Sequence, residues 1–199
     1  MRTVVRPLSL PCMIGAVLAG GAGRRLGTRS KAAVPLGGRP LVSYPLEALA
    51  LVCERLAVVC KSDTELPELA GTERWDEPAE PRHPLTGIVH ALERAGAPVL
   101  VCAADMPFVT GDACRTLVAA AGAGGPAVVA ASGGVLQPVF ALYAPAALEP
   151  LRAAPADAAL TATVEALDPV RVALPPAVVR SVNTPEDLAE AKAALIAED

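Results

Sequence analysis

This chain of 199 residues has few aromatic residues and no excess of positive charge. Aromatics make up 3% of the residues, and the formal net charge is −4. Proteins that bind nucleic acids or membrane surfaces usually carry excess positive charge, and single-stranded nucleic acids are often held on stacked aromatic rings. We therefore expect neither nucleic acid nor membrane as a partner. An anionic ligand would have to be bound by a local group of cationic side chains and backbone amides.

Long apolar runs and paired cysteines are also lacking. No run reaches the roughly 18 apolar residues that a membrane-spanning helix requires. The cysteine count is odd, at five, and no two are spaced Cys-x-x-Cys, which argues against a zinc ribbon and a disulfide framework. Cys53, Cys60 and Cys102 lie in apolar runs, where a reduced cysteine acts as a small buried hydrophobe. These features predict a reducing compartment, the cytoplasm.

Residues 1–12 precede the first pattern typical of a core strand. Their arginines and apolar positions are compatible with a signal peptide, but Pro11 and Cys12 interrupt the apolar stretch. The stretch "MIGAVLAGG" that follows is also explained as a buried strand that enters a glycine turn. We interpret residues 1–12 as an N-terminal extension and residues 13–199 as one domain.

Apolar runs alternate with helical periodicity along that domain. Runs typical of strands cover residues 14–19, 56–60, 97–104 and 127–131, with helical patterns between them. The run 97–104 is apolar at nearly every position, as in a strand that is buried on both faces of a parallel sheet. Thr184, Pro185 and Asp187 predict the start of the last helix. The alternation predicts an α/β fold, a Rossmann-like three-layer sandwich with a mostly parallel sheet.

A glycine-rich basic stretch, "LAGGAGRRLGTRSK" (18–31), follows the first strand. In open α/β sheets, ligands bind at the carboxyl ends of the strands, where this stretch stands. Its spacing fits neither the dinucleotide fingerprint nor the P-loop. Three of its glycines would allow a nucleotide to approach closely, and three of its basic side chains could neutralise phosphates: Gly20, Gly21, Gly23, Arg24, Arg25 and Lys31. The alternative is a glycine turn with solvated basic residues.

Asp105 is the second chemical signal, because it comes directly after the buried strand 97–104. A carboxylate at the carboxyl end of a strand, next to a phosphate loop, is suited to Mg²⁺, which needs only one or two protein oxygens besides phosphates and water. The alternative for Asp105 is a role in a turn or a helix cap.

Four stretches of the chain resemble, in order, the signature of the molybdenum cofactor guanylyltransferases, which are MobA-like nucleotidyltransferases. They are "LAGGAGRRLG" with "SK", "HPLTGI" (83–88), "CAADMPFV" (102–109) and "VNTPEDL" (182–188). A fifth stretch, "QPVFALY" (137–143), is similar to the family more loosely. The family usually has Asp before its lysine, where this chain has Ser30. The resemblance covers nearly the whole chain from residue 14 and implies a fold of the nucleotide-diphospho-sugar transferase type.

The resemblance implies that GMP is transferred from GTP to the terminal phosphate of molybdopterin, with Mg²⁺ as cofactor and pyrophosphate as product. It implies four catalytic residues, Arg24, Arg25, Lys31 and Asp105. It also implies that Asp105 is the metal ligand. It also implies a set of nucleotide contacts: Leu18, Ala19, Gly20, Gly21, Gly23, Lys31, Lys61, Glu77 and Asp105. The second substrate would meet Thr86, Gly87 and Asn183. Proteins that deliver molybdopterin or receive the finished cofactor are further possible partners.

Several of these residues have simpler interpretations. Glu77 could be a solvated loop charge, Thr86 and Gly87 could only begin a helix, and Asn183 could only order the turn before Thr184. His83 and His90 lie seven residues apart, which is not the spacing of a helical zinc pair, so both are expected to be solvated or structural.

Other functions also stay open at this point. The chain could transfer CMP to molybdopterin or a nucleotide to a sugar phosphate, and it could be a nucleotide-binding module without turnover.

Overall fold

The computed structural model describes residues 13–21, 30–155 and 158–198. The proposed extension, residues 1–12, lies outside the described residues, and so do Gly23, Arg24 and Arg25. The boundary between extension and domain therefore stays a prediction.

Strands and helices alternate along the described residues. The strands are β1 (Ile14–Leu18), β2 (Pro35–Leu36), β3 (Arg39–Pro40), β4 (Arg55–Cys60), β5 (Thr72–Asp76), β6 (Val99–Ala103), β7 (Ala127–Ser132), β8 (Val135–Tyr143) and β9 (Val170–Ala173). The helices are α1 (Ser43–Ala50), α2 (Pro84–Ala95), α3 (Gly111–Ala120), α4 (Leu148–Ala153), α5 (Leu160–Glu165) and α6 (Pro185–Glu198). The predicted strands 14–19, 56–60, 97–104 and 127–131 correspond to β1, β4, β6 and β7.

The main sheet has the strand order β5-β4-β1-β6-β8-β7-β9. β8 runs antiparallel to its neighbours β6 and β7, and the other neighbouring pairs are parallel. The predicted, mostly parallel sheet is thus confirmed. β2 and β3 form a separate antiparallel hairpin.

Helices cover both faces of the sheet. On one face, α1 and α3 contribute Leu49 and Leu117 to a core that contains Val17 of β1. On the other face, α2 and α4 contribute Ile88 and Leu151 to a core around neighbouring sheet residues such as Ala16. Successive strand residues point to opposite faces, so a strand that is apolar at every position supplies both cores. The three-layer sandwich is therefore confirmed.

Gly15 in β1 allows α1 to pack close to the centre of the sheet. A Cβ at this position would lie 2.9 Å from Leu56 Cδ2 and 3.0 Å from Leu49 Cβ. Any side chain larger than hydrogen would push the helix away from the strand.

The described cysteines, Cys53, Cys60, Cys102 and Cys114, are buried and free. Burial raises the pKa of the Cys53 thiol to about 12 and that of the Cys60 thiol to about 11. These thiols stay protonated at neutral pH and fill the core as small hydrophobes, as the sequence predicts.

The α-helices within the described ranges include none that combines the length and the apolar character needed to cross a membrane.

The register of the sheet brings several strand ends together. Leu18 pairs with Val59 of β4 and with Ala103 of β6, and Cys60 pairs with Asp76 of β5. The residues that follow β1, β4, β5 and β6 therefore gather at one edge of the sheet.

Candidate active site

A cleft of about 480 Å³ opens at that edge. Its volume is typical of a small-molecule site. Its walls contain ten of the residues predicted from the sequence: Leu18, Ala19, Gly20, Gly21, Lys31, Lys61, Glu77, Gly87, Asp105 and Asn183. The structure thus brings together residues that lie far apart along the chain.

Lys31, Asp105 and Asn183 converge within this cleft. Lys31 Nζ donates to Asp105 Oδ2 at 2.7 Å and to Asn183 Oδ1 at 2.5 Å. The side chains of Lys31 and Asp105 are 17% and 19% exposed, so this ion pair is partly shielded from water. An ion pair in such surroundings is screened less than one on the open surface.

Backbone hydrogen bonds hold Asp105 in place. The Ala104 amide donates to the carbonyl oxygen of Leu18 at 3.0 Å, which ties the end of β6 to the end of β1. The Val182 amide donates to the carbonyl oxygen of Asp105 at 2.8 Å. The segment before α6 is therefore attached directly to the aspartate, which places Asn183 beside it.

The start of α6 fixes Asn183 from the other side. Asp187 Oδ2 accepts hydrogen bonds from the Asn183 amide at 2.8 Å and from the Thr184 amide at 2.9 Å. The Asp187 amide donates in return to Thr184 Oγ1 at 3.1 Å. This is the predicted variant of the capping box, and the donated hydrogen bonds hold the pKa of the Asp187 carboxyl below its usual range. Asn183 thus orders the turn with its backbone and enters the cleft with its side chain.

Asp105 and Asn183 supply the oxygen donors that Mg²⁺ prefers. Both oxygens accept from the same ammonium group, so they point to one place. Groups of three or more His, Cys, Asp and Glu side chains that could enclose a metal are absent from the described part of the chain. Two oxygens fit an ion that keeps water ligands and arrives with substrate phosphates. Magnesium at Asp105 stays a prediction, and the residues present are compatible with it.

Lys61 and Glu77 form a buried pair on another wall of the cleft. They directly follow the paired residues Cys60 and Asp76 of β4 and β5, so the register places them side by side. Lys61 Nζ lies 3.4 Å from Glu77 Oε1, and their side chains are only 3% and 6% exposed. The interpretation of Glu77 as a solvated loop charge is therefore wrong. Burial raises the pKa of the Glu77 carboxyl, and the attraction of Lys61 opposes that rise.

The Lys61 ammonium also supports the loop after β5. Nζ donates to the carbonyl oxygen of Pro78 at 2.5 Å and to that of Pro81 at 3.1 Å. With Glu77 nearby, these acceptors account for the three hydrogens of the ammonium.

Two glycines make room for the Glu77 carboxylate. A Cβ at Gly20 would lie 2.9 Å from Glu77 Oε1, and a Cβ at Gly87 would lie 3.1 Å from Glu77 Oε2. Oε2 is buried and has no hydrogen-bond partner among the described residues. A buried carboxylate oxygen without a partner is costly in free energy. Glu77 lines the cleft, but its Oε2 has almost no exposed surface, so the N–H donors of a ligand would reach it only after a small shift of the neighbouring groups.

Residues 15–170 match the model of the MobA-like NTP transferase domain. The chain belongs to this family. A molybdenum cofactor guanylyltransferase from Cereibacter sphaeroides is 37% identical over 192 residues, which cover 92% of this chain and 97% of that protein. A probable molybdenum cofactor guanylyltransferase from Natronomonas pharaonis is 31% identical over 197 residues, covering 89% of this chain and 96% of that protein.

One solved structure agrees with the family assignment, and a second shares the fold. Molybdopterin-guanine dinucleotide biosynthesis protein A from Archaeoglobus fulgidus has a TM-score of 0.73 at 26% identity, with 93% of this chain and 100% of that chain covered. 2-C-methyl-D-erythritol 4-phosphate cytidylyltransferase from Thermus thermophilus has a TM-score of 0.68 at 20% identity, with coverages of 91% and 98%. The second similarity concerns the fold, and it agrees with the predicted nucleotide-diphospho-sugar transferase type.

The structure places Thr86, predicted to meet the second substrate, outside the cleft of this MobA-like chain. Its Oγ1 donates to the Pro81 carbonyl oxygen at 3.1 Å, and its side chain lines a separate groove beside His90. Thr86 and Gly87 are consecutive in α2 and therefore point in different directions, about 100° apart around the helix axis.

Other residues line the cleft although they were not predicted to do so: Arg82, His83, Pro84, Ala103, Ala104, Val139 and Ser181. His83 Nδ1 accepts from the Leu85 amide at 3.3 Å and caps α2, which confirms a structural role. Ser181 stands two residues before Asn183. Side chains two residues apart in an extended segment point in the same direction, so this spacing could have predicted that both line the cleft. Val139 lies in the stretch 137–143 that is loosely similar to the family, but its exposure to the cleft depends on the position of β8 in the sheet.

Proposed function

We propose that this chain transfers GMP from GTP to the terminal phosphate of molybdopterin and releases pyrophosphate. Membership in the MobA-like family and similarity to relatives named molybdenum cofactor guanylyltransferase support the proposal. The structural observation that carries it is the convergence of Lys31, Asp105 and Asn183 at the carboxyl ends of the strands.

This reaction needs positioning and charge neutralisation more than it needs a base. An oxygen of the acceptor phosphate attacks the α-phosphorus of GTP, and the bond to the bridging oxygen of the departing pyrophosphate breaks. The attacking phosphate is already an anion at neutral pH, so no strong general base is required. Lys31 would donate hydrogen bonds to the phosphate oxygens, where negative charge is redistributed during the transfer.

Asp105 and Asn183 are the residues that would hold Mg²⁺. When bound, the ion would supply charge neutralisation to the phosphate oxygens of the nucleotide. The protein's own contribution is to keep the carboxylate and amide oxygens at a fixed separation. Hydrogen bonds of β6 to β1 and of Asn183 to Asp187 do this.

Glu77 is the group that we propose to select guanine. The Watson–Crick edge of guanine carries two adjacent donors, N1–H and the 2-amino group, which suit a carboxylate acceptor. Adenine presents the unprotonated N1 there, and cytosine presents N3 and O2, which are acceptors and would face Glu77 unfavourably. Leu18 and Ala19 would contact the nucleoside through backbone groups.

Lys61 is proposed to act on the nucleotide only indirectly. Its ammonium already faces Pro78, Pro81 and Glu77, so it would hold the loop and balance the Glu77 charge. Asn183 lies at the phosphate end of the cleft, where the acceptor phosphate would enter. In this proposal, the base binds at the end of the cleft near Glu77, and the phosphates bind at the end near Asn183.

Thermal unfolding with GTP, CTP, UTP or ATP, each with Mg²⁺, tests the choice of nucleotide. A nucleotide that binds only the folded protein raises the midpoint as its concentration exceeds its Kd. We expect GTP to give the largest rise. A larger rise with CTP would overturn the choice of guanine.

The role of Asp105 is tested by Asp105→Ala in an assay of Mg²⁺-dependent pyrophosphate release with GTP and molybdopterin. Release should be lost in Asp105→Ala and retained in Asp112→Ala. The latter removes an exposed carboxylate that pairs with Arg115 on α3. Unchanged release in Asp105→Ala would contradict the assignment.

A further inference from the structure

We propose that the Lys31 ammonium occupies the metal position in the absence of nucleotide and moves to the phosphates when a nucleoside triphosphate binds. Metal and nucleotide binding would then depend on each other. The proposal rests on the proposed function only in taking a nucleoside triphosphate as the ligand that receives Lys31.

The geometry shows that Lys31 and a metal ion would compete for the same oxygens. Lys31 Nζ lies 2.7 Å from Asp105 Oδ2 and 2.5 Å from Asn183 Oδ1. These are the two described side-chain oxygens that converge at this end of the cleft. A divalent ion bound to both would stand where the ammonium stands, and the two cations would repel each other.

The competition has a consequence for the metal alone. Lys31 would have to leave Asp105 and Asn183 before the ion could bind both. No other described carboxylate pairs with the Lys31 ammonium, which is held in a partly shielded cleft. Without a nucleotide, the displaced charge would lack a partner, so the metal alone should bind weakly.

A triphosphate removes this obstacle. Its oxygens offer the displaced ammonium a new anionic partner, and they also complete the ligand sphere of the metal. Lys31 follows Ser30 at the end of the glycine-rich stretch, and its backbone amide lies 3.5 Å from the Gly21 carbonyl oxygen. The lysine is thus anchored beside the backbone that would approach the phosphates. Because binding linkage is reciprocal, the metal would strengthen triphosphate binding by the same factor.

Binding of Mn²⁺, measured by electron paramagnetic resonance of the free ion, tests the proposal on the full chain. In the absence of nucleotide, Lys31→Met should bind Mn²⁺ at least about fivefold more tightly than the wild-type protein, because the competing cation is gone. The gain in Mn²⁺ affinity on adding guanosine 5′-(α,β-methylene)triphosphate should be smaller in Lys31→Met than in the wild type. If Lys31→Met does not fold, Lys31→Gln, which is also uncharged, allows the same measurement.

Arg82→Met is the matched control. Arg82 also lines the cleft, but its guanidinium pairs with Asp63 at 2.8 Å and with Glu80 at 3.7 Å. This variant should leave the affinity for Mn²⁺ unchanged. An equal gain in Arg82→Met would mean that general electrostatics causes the effect, which overturns the proposal. The double variant Lys31→Met with Asp105→Asn should lose the gain, since the gain arises at Asp105.

An unchanged or weaker Mn²⁺ affinity in the folded Lys31 variants would overturn the proposal. The measurement with Mn²⁺ alone requires neither GTP nor molybdopterin. Its failure is therefore distinguishable from a failure of the proposed guanylyl transfer, which is measured by product formation.

Discussion

Asp187 fixes Asn183 from outside the cleft, because its carboxylate accepts a hydrogen bond from the Asn183 amide at 2.8 Å. Asp187 itself is not part of the cleft wall. The first turn of α6 thereby determines where the Asn183 side chain meets Lys31. The same interactions serve the stability of the helix start and the arrangement of the site.

Replacing Asp187 by Ala should destabilise the protein at neutral pH and much less in acid. Backbone amides lower the pKa of the folded Asp187 carboxyl below its ordinary value of 3.8. A lowered carboxyl pKa adds stability that is present above the unfolded value and is lost as the pH falls through the folded value. Urea unfolding at neutral pH and at about pH 2 should show the difference between variant and wild type shrinking in acid. Asp112→Ala is the control, and an equal effect there would exclude a specific role for Asp187.

Replacing Glu77 by Gln should have the opposite dependence on pH. Burial raises the pKa of Glu77 above its ordinary value of 4.5. The folded state therefore disfavours the ionised form, and this cost appears as the pH rises from the unfolded pKa through the folded pKa. The variant should gain stability relative to the wild type as the pH rises above about 4.5, the ordinary pKa of the carboxyl, and urea midpoints would show this gain. If the difference in stability between variant and wild type does not change with pH, the Glu77 carboxylate is not destabilised by burial.

The neighbouring glycines at the start of the basic stretch should tolerate alanine differently. A Cβ at Gly20 would lie 2.9 Å from Glu77 Oε1, whereas a Cβ at Gly21 would meet Lys31 Cδ at 3.6 Å, an ordinary contact. Gly20→Ala should displace the carboxylate and reduce the preference for GTP over ATP by about tenfold, which corresponds to the loss of roughly one hydrogen bond to a charged group. Gly21→Ala should largely keep that preference. Calorimetric titration without acceptor measures both, and equal losses would contradict base selection by Glu77.

Gly15 offers a test of the core that does not involve the cleft. Gly15→Ala would bring a Cβ to 2.9 Å from Leu56 Cδ2, so we expect a loss of about 1–3 kcal/mol in the free energy of unfolding. A Cβ at Gly122 would meet no described atom within 4 Å, and alanine there should have little effect. Urea unfolding of both variants would reveal whether the packing of α1 on β1 is as close as described.

The sequence is most informative where a residue's surroundings are local. The continuous apolar runs predict β1, β4 and β6, and the Thr184–Asp187 pattern predicts the start of α6. By contrast, β5 (Thr72–Asp76) was missed, because of its residues only Trp75 is buried and the others are polar. An edge strand with one buried side chain has no clear alternation of apolar and polar positions.

In the candidate site, too, the sequence predicts the features that depend on local surroundings and does not predict those that depend on distant parts of the chain. The pattern of glycines, a lysine and an aspartate after strands predicted residues that lie together in the cleft, such as Gly21, Lys31 and Asp105. The partnership of Lys61 with Glu77 was not predictable, because it depends on the register between β4 and β5. Whether Glu77 is solvated or buried also depends on Gly87, which comes from a helix in another part of the chain. The cytoplasmic location and the partners that would deliver or receive the cofactor stay predictions.

Guanylyl transfer is tested most directly by incubating the protein with GTP, Mg²⁺ and molybdopterin and then analysing the products by mass spectrometry. We predict a dinucleotide with the mass of molybdopterin plus GMP less one water, together with pyrophosphate, and neither product with Asp105→Ala. If GTP gives no dinucleotide with the folded wild-type protein, or if CTP gives it in preference, the proposed function is contradicted.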